Sequence, residues 1–101
     1  MALLKSKTGK LCEVNVYPVF KLYGRKFVAH NKLIKLSRGK YKTKRGVWVV
    51  SDYLTGLLVS ASIQAKTRQT AAALTKEFLL TMGEDALKKA VSRRKEINNG
   101  G

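Results

Sequence analysis

Residues 11–30 read LCEVNVYPVFKLYGRKFVAH, a segment whose pattern is typical of β-structure. Every even-numbered position from Cys12 to Leu22 is apolar, whereas most odd-numbered positions are polar or amphipathic. A period of two is typical of a half-buried β-strand, so we predict one long strand over residues 11–23. Because Pro18 cannot donate a ladder hydrogen bond, we expect this strand at a sheet edge or bulged at that point.

The next four residues, Tyr23-Gly24-Arg25-Lys26, predict a two-residue hairpin turn. Gly24 would take the first central position, as in a type II′ turn. This register places apolar residues opposite each other on one face of the hairpin. The predicted pairs are Leu22 with Phe27, Phe20 with Ala29, Lys21 with Val28, and Val19 with His30.

The middle of the chain predicts further strands. Residues 32–36 extend the second strand after a bulge, and residues 37–46 form a basic loop or strand tips bounded by glycines. Residues 47–53 and 57–63 are nearly continuously apolar, which favours a second, central hairpin.

The last third of the chain has helical spacing of its apolar residues. Thr67 or Thr70 can cap a first helix, Gly83 can end it, and a second helix runs from Glu84 to the basic residues 93–95. We therefore predict an α+β fold: a four-stranded antiparallel sheet of two hairpins, followed by one or two C-terminal helices packed on one face. The predicted organisation is a flexible basic N-terminus (1–10), a single domain (10–96) and a disordered tail (97–101).

The charge of the chain points to an anionic partner. The 101 residues include 21 Lys and Arg against 6 Asp and Glu, a formal net charge of +15, and 45% are hydrophobic. Net charge is concentrated in residues 1–50, which hold +12 of it. No acid occurs between Glu13 and Asp52. This composition fits a small globular domain and excludes an acidic mimic of nucleic acid.

Enzymatic chemistry finds little support in the sequence. The predicted register places Cys12 and His30, the single cysteine and histidine, on opposite faces of the sheet. Metal-ligand spacing and a glycine-rich phosphate motif are both missing. Glu84 and Asp85 are explained by the dipole of the second helix. We therefore expect no catalytic residue, no metal and no cofactor.

The strongest local feature lies between Lys35 and Arg45. On an extended segment, alternate lysines point the same way at intervals of about 6–7 Å, close to the spacing of phosphates along one strand. The alternative is a solvated basic loop that only aids solubility. The candidate phosphate-binding residues are Lys35, Arg38, Lys40, Tyr41, Lys42, Lys44 and Arg45.

Two weaker patches accompany this segment. Aromatic and basic residues share the predicted solvent face of the first hairpin, where they could stack on bases or simply pack across the strands. The start of the first helix adds cations near free amides, which favour phosphate. The candidates are Tyr17, Lys21, Tyr23, Arg25, Lys26 and His30 on the hairpin, and Lys66, Arg68 and Lys76 at the helix.

We therefore predict a small non-catalytic nucleic-acid-binding protein, with DNA slightly preferred over RNA and contacts mainly to phosphates. Lysines outnumber arginines fifteen to six, which favours weak sequence specificity. The alternative is a basic inhibitor or adaptor that docks on an acidic protein or a nucleic-acid-processing enzyme. We also expect no membrane contact, a cytoplasmic location, and a homodimer through an edge strand as a further option.

Overall fold

The structure is a computed structural model that describes residues 1–6 and 8–98. A 3₁₀ turn at Ser37–Gly39 separates the last two strands. The strands are β1 (Ala2–Lys5), β2 (Leu11–Val14), β3 (Tyr17–Leu22), β4 (Arg25–Lys35) and β5 (Tyr41–Asp52), and the helices are α1 (Arg68–Met82) and α2 (Glu84–Val91).

The strands form two antiparallel sheets rather than the predicted four-stranded one. β1 pairs with β2, and a separate sheet has the order β3-β4-β5. The predicted long strand is interrupted at Asn15 and Val16, so its halves belong to different sheets. Asn is depleted in strands, which is consistent with a break there. The α+β class and the two C-terminal helices are confirmed.

The first hairpin forms, but its turn is displaced by one residue. Tyr23 (φ 54°) and Gly24 (φ 73°) are the two central residues, and both have positive φ. That combination is a type I′ turn, whose twist matches the flanking strands. The predicted register is therefore wrong, and Phe20 now faces Phe27 with ring centroids 5.0 Å apart.

Pro18 has the role that its chemistry predicts. β3 is an edge strand, and its register shifts by a bulge between Pro18 and Phe20. A proline and a bulge are both features that protect edge strands from pairing. They disfavour a homodimer formed through β3.

The second predicted hairpin is only partly confirmed: the chain turns back after Asp52 and runs antiparallel to β5, but residues 57–63 do not form a regular strand. Residues 47–52 are the end of β5, and their partner is β4. The apolar residues 57–63 instead follow β5 in an irregular segment that is joined to it by isolated bridges, such as Ser51 to Leu58. β4 runs on to Lys35, which confirms that the second strand extends past residue 32.

The two faces of the three-stranded sheet are both covered. Phe27, Ala29 and Val50 form the core with α1 and α2. Alternate residues such as His30, Val49 and Ser51 point to the other side, towards Leu4 of β1. The fold therefore has three layers, with the three-stranded sheet in the middle.

The helix ends follow local capping rules. The Thr67 side chain accepts a hydrogen bond from the Thr70 amide, so Thr67 is the N-cap of α1. Gly83, with φ 89°, ends α1, and α2 begins at Glu84. α2 ends at Val91, before the basic residues 93–95 that were predicted to close it.

Both chain ends differ from the predicted flexible segments where they are described. Residues 2–5, which were assigned to a flexible N-terminus, form β1. The Ile97 amide donates to Leu54 O at 2.7 Å, and the Asn98 side chain donates to Leu3 O and Tyr53 O. The rest of the predicted tail, residues 99–101, lies outside the described residues.

Candidate nucleic-acid interface

The distal end of the β4–β5 hairpin, residues 32–45, is here called the basic ribbon. It holds seven Lys and Arg and no acid. Its strands pair from Lys32 opposite Lys44 to Lys35 opposite Tyr41. β3 pairs with β4 only from Arg25 to Ala29, so the basic ribbon extends past the three-stranded part of the sheet.

One face of the basic ribbon concentrates lysines. Residues directly opposite each other in an antiparallel pair project to the same face, so Lys32, Lys42 and Lys44 share a face with Ile34. Lys40 has an extended backbone and continues the alternation along β5. Successive lysines of β5 are thus about 7 Å apart. We call this side, with Lys32, Lys40, Lys42 and Lys44, the lysine face.

The tip of the basic ribbon is attached to the turn between β1 and β2. The Tyr41 hydroxyl and Thr8 Oγ1 are 2.7 Å apart, and Lys10 Nζ donates to Gly39 O at 2.8 Å. Hydrogen bonds from Ser6 and Thr8 lower the pKa of the Tyr41 phenol. Tyr41, a predicted ligand-binding residue, therefore anchors the basic ribbon. Lys40, Lys42 and Lys44 of the lysine face are exposed, and Lys32 is half-buried.

The cations of the basic ribbon are not neutralised within the described residues. The two ion pairs found there join Arg25 to Asp52 and Lys88 to Glu84. Lys32 lies directly opposite Lys44, and like charges in that position destabilise a sheet. Such an arrangement favours an anion bound from outside. The exposed members of the basic ribbon are Lys35, Arg38, Lys40, Lys42, Lys44 and Arg45.

The second predicted patch is not one surface. The bulge in β3 reverses the alternation, so Tyr17 and Lys21 lie on opposite faces of the sheet. Tyr23 packs against the core. Lys26 Nζ lies 4.5 Å from the centre of the Tyr53 ring. Lys21 is paired with Lys26 across the two strands.

Arg25 is occupied by a structural contact. Its guanidinium donates to both oxygens of Asp52, at 2.9 and 2.7 Å, and this carboxylate raises the pKa of Arg25. The same carboxylate accepts from the Thr55 amide and hydroxyl. Asp52 and Arg25 therefore fix the end of β5 to the first hairpin.

The third predicted patch is only partly available. The Arg68 guanidinium lies 4.3 Å from the centre of the Tyr17 ring and 5.6 Å from that of Trp48. The two rings meet edge to face at 5.7 Å. Arg68 thus joins α1 to β3 and β5, whereas Lys66 is exposed. This cluster had no signal in the sequence, because it depends on three separate elements.

His30 is buried, which contradicts its predicted solvent face. Its Nδ1 is 2.9 Å from the Asn31 carbonyl oxygen, so Nδ1 carries the proton. Nε2 then accepts from the Ser51 hydroxyl at 2.7 Å. Burial lowers the pKa of His30. Neither ring nitrogen is bonded to Cys12, whose Sγ lies 3.9 Å from Lys10 O.

No protein-family model, curated protein or solved structure matches this chain. Within the described residues, no three His, Cys, Asp or Glu side chains gather as metal ligands. No helix in that part of the chain is long and apolar enough to cross a membrane.

Proposed function

We propose that the protein binds nucleic acid without catalysis, mainly through phosphate contacts made by the lysine face. The observation that carries this proposal is the cross-strand pair Lys32–Lys44, which sits in a ribbon with seven cations and no acid. Binding of a polyanion would relieve the electrostatic repulsion between these lysines, and this favours binding.

The residues favour positioning on the backbone over reading of bases. The lysine face presents ammonium groups, which bind phosphates as point charges and lack the fork of arginine. Ile34 is the apolar residue of that face within the paired part of the strands. We therefore expect weak sequence specificity, with DNA bound slightly more tightly than RNA.

The test is fluorescence anisotropy with labelled duplex DNA, single-stranded DNA and RNA of equal length across a salt series. We expect a steep fall of log affinity with log salt, since each neutralised duplex phosphate contributes about −0.9 to the slope. Changing Lys40, Lys42, Lys44 and Arg45 to Gln should make the slope shallower by about 3 to 4.

A charge-matched control separates a local site from general attraction. Lys89, Arg93, Arg94 and Lys95 are exposed at or after the end of α2, and changing all four to Gln removes the same charge. This control should keep most of the affinity. Equal losses in both variants would contradict a site on the basic ribbon. Absence of binding at low salt would leave an acidic protein as the partner.

A further inference from the structure

A cavity of about 140 Å³ lies between the three-stranded sheet and β1, on the side away from the helices. Its inner wall is formed by Leu4, His30, Val49 and Ser51, each no more than 3% exposed. Its outer wall is formed by the more exposed Lys5, Ser6, Lys32, Leu33, Leu58, Ala61 and Gln64.

The size of this cavity sets the size of a ligand. A cavity of about 150 Å³ lined by aliphatic side chains can hold one benzene molecule. Much of the wall here is aliphatic, through Leu4, Leu33, Val49 and Leu58. An apolar group of about six carbon atoms therefore fits the interior.

Hydrogen bonding sets the orientation of a ligand. The Nδ1 proton of His30 is given to the Asn31 carbonyl, and the Ser51 hydroxyl proton is given to His30 Nε2. The inner wall therefore has no free donor for an anionic group. The outer wall includes the ammonium-bearing Lys5 and Lys32, and no acid lines the cavity. A negative charge is favoured at the mouth and an apolar group inside.

We infer that this cavity binds a small amphipathic carboxylate, with its apolar body against Leu4 and Val49 and its carboxylate between Lys5 and Lys32. This site lies between β1 and the three-stranded sheet. It shares Lys32 with the lysine face, but it is inferred from the cavity and does not rest on nucleic-acid binding by the basic ribbon. Its ligand class is a monocarboxylate of about the size of benzoate.

The test is a titration of the ¹⁵N-labelled protein with sodium benzoate at constant ionic strength, followed by amide chemical shifts. Benzyl alcohol serves as the neutral probe of nearly the same shape. We expect saturable shifts at Val49 and Ser51 with millimolar or tighter affinity. Benzyl alcohol should bind roughly fivefold more weakly, because it lacks the ion pair.

Variants at the mouth locate the site. Ala61→Trp should block entry, whereas Ala73→Trp, at an exposed position of α1 away from the cavity, should leave binding unchanged. The double variant Lys5→Gln, Lys32→Gln should bind benzoate no better than benzyl alcohol. Unsaturable shifts, equal affinity of the wild type for both probes, or undiminished binding by Ala61→Trp would each overturn the inference. Dispersed spectra of every variant check the fold.

Discussion

His30 is the single histidine of the chain, and it is buried, with 3% of the residue exposed. Its two nitrogens are satisfied by the Asn31 carbonyl and the Ser51 hydroxyl. The neutral ring fits this environment, because one nitrogen donates and the other accepts. The imidazolium would have to hold a charge away from water, near a cavity lined by Lys5 and Lys32.

We therefore predict that stability falls as the solution is acidified through the pKa of an unfolded histidine. Burial lowers the pKa of His30 in the folded state, so below about pH 6.5 the unfolded chain binds more protons than the folded one. The free energy of unfolding should fall by up to about 1.4 kcal/mol per pH unit between about pH 6.5 and 5.5.

Urea unfolding at several pH values measures this slope, and His30→Gln supplies the control. The variant removes the titrating group but keeps an amide that can hydrogen-bond. Its stability should change much less over the same pH range. Equal slopes in the two proteins would show that His30 is not the group responsible.

At the level of secondary-structure elements, the basic ribbon places two lysines, Lys32 and Lys44, directly opposite each other, and their repulsion destabilises the hairpin. Changing Lys44 to Glu places a carboxylate directly opposite Lys32. We expect the free energy of unfolding to rise by about 0.2–1 kcal/mol, while nucleic-acid affinity falls. Urea unfolding and anisotropy give the two quantities on the same protein.

Lys42→Glu is the matched control, because Lys42 lies opposite Ile34 rather than a lysine. It makes the same change of charge on the same face and should lose affinity similarly. Its gain in stability should be smaller, since no directly opposed pair is created. A loss of stability in Lys44→Glu, or an equal gain in both variants, would contradict the role given to the cross-strand lysines.

The elements also show where sequence patterns reach their limit. Alternation and a glycine predicted the first hairpin, but Tyr23 takes a positive φ, which a bulky residue rarely does, and this moved the register. Residues 57–63 have the composition of a central strand, yet they run beside β5 as an irregular segment with isolated bridges to it. Burial alone does not distinguish these two uses of an apolar run.

The candidate site was predictable only where it is local in sequence. Residues 35–45 form one continuous basic segment, so their proximity needed no tertiary information. The patch on the first hairpin required alternate residues of the strand to project to one face. The bulge near Pro18 reverses this alternation and divides the patch between two faces. The contact of Arg68 with Tyr17 and Trp48 joins three elements and left no periodic signal.

At the scale of the whole molecule, charge and packing are separated in space. The helices pack on one face of the three-stranded sheet, and the basic ribbon extends past β3. Four of the six acids lie in residues 77–96, so most of them are distant in sequence from the cations of the basic ribbon. Positive charge is therefore distributed unevenly over the surface, with an excess at the basic ribbon. Such a distribution favours the binding of a polyanion there.

The same field predicts that salt affects folding and binding in opposite directions. A formal net charge of +15 in a chain of 101 residues repels itself in the compact state. Raising the ionic strength from about 0.01 M to about 0.15 M shortens the screening length from about 30 to about 8 Å, so it weakens this repulsion. The urea midpoint should therefore rise with sodium chloride, while affinity for nucleic acid falls.

The quadruple Gln variant of Lys40, Lys42, Lys44 and Arg45 tests whether both effects arise from the basic ribbon. Because it removes four positive charges from that region, its urea midpoint should depend less on salt than that of the wild type. The Gln variant of Lys89, Arg93, Arg94 and Lys95 should keep more of that dependence, since those charges are not opposed in pairs across two strands. A urea midpoint of the wild type that falls or stays constant with salt would contradict self-repulsion as a feature of this fold.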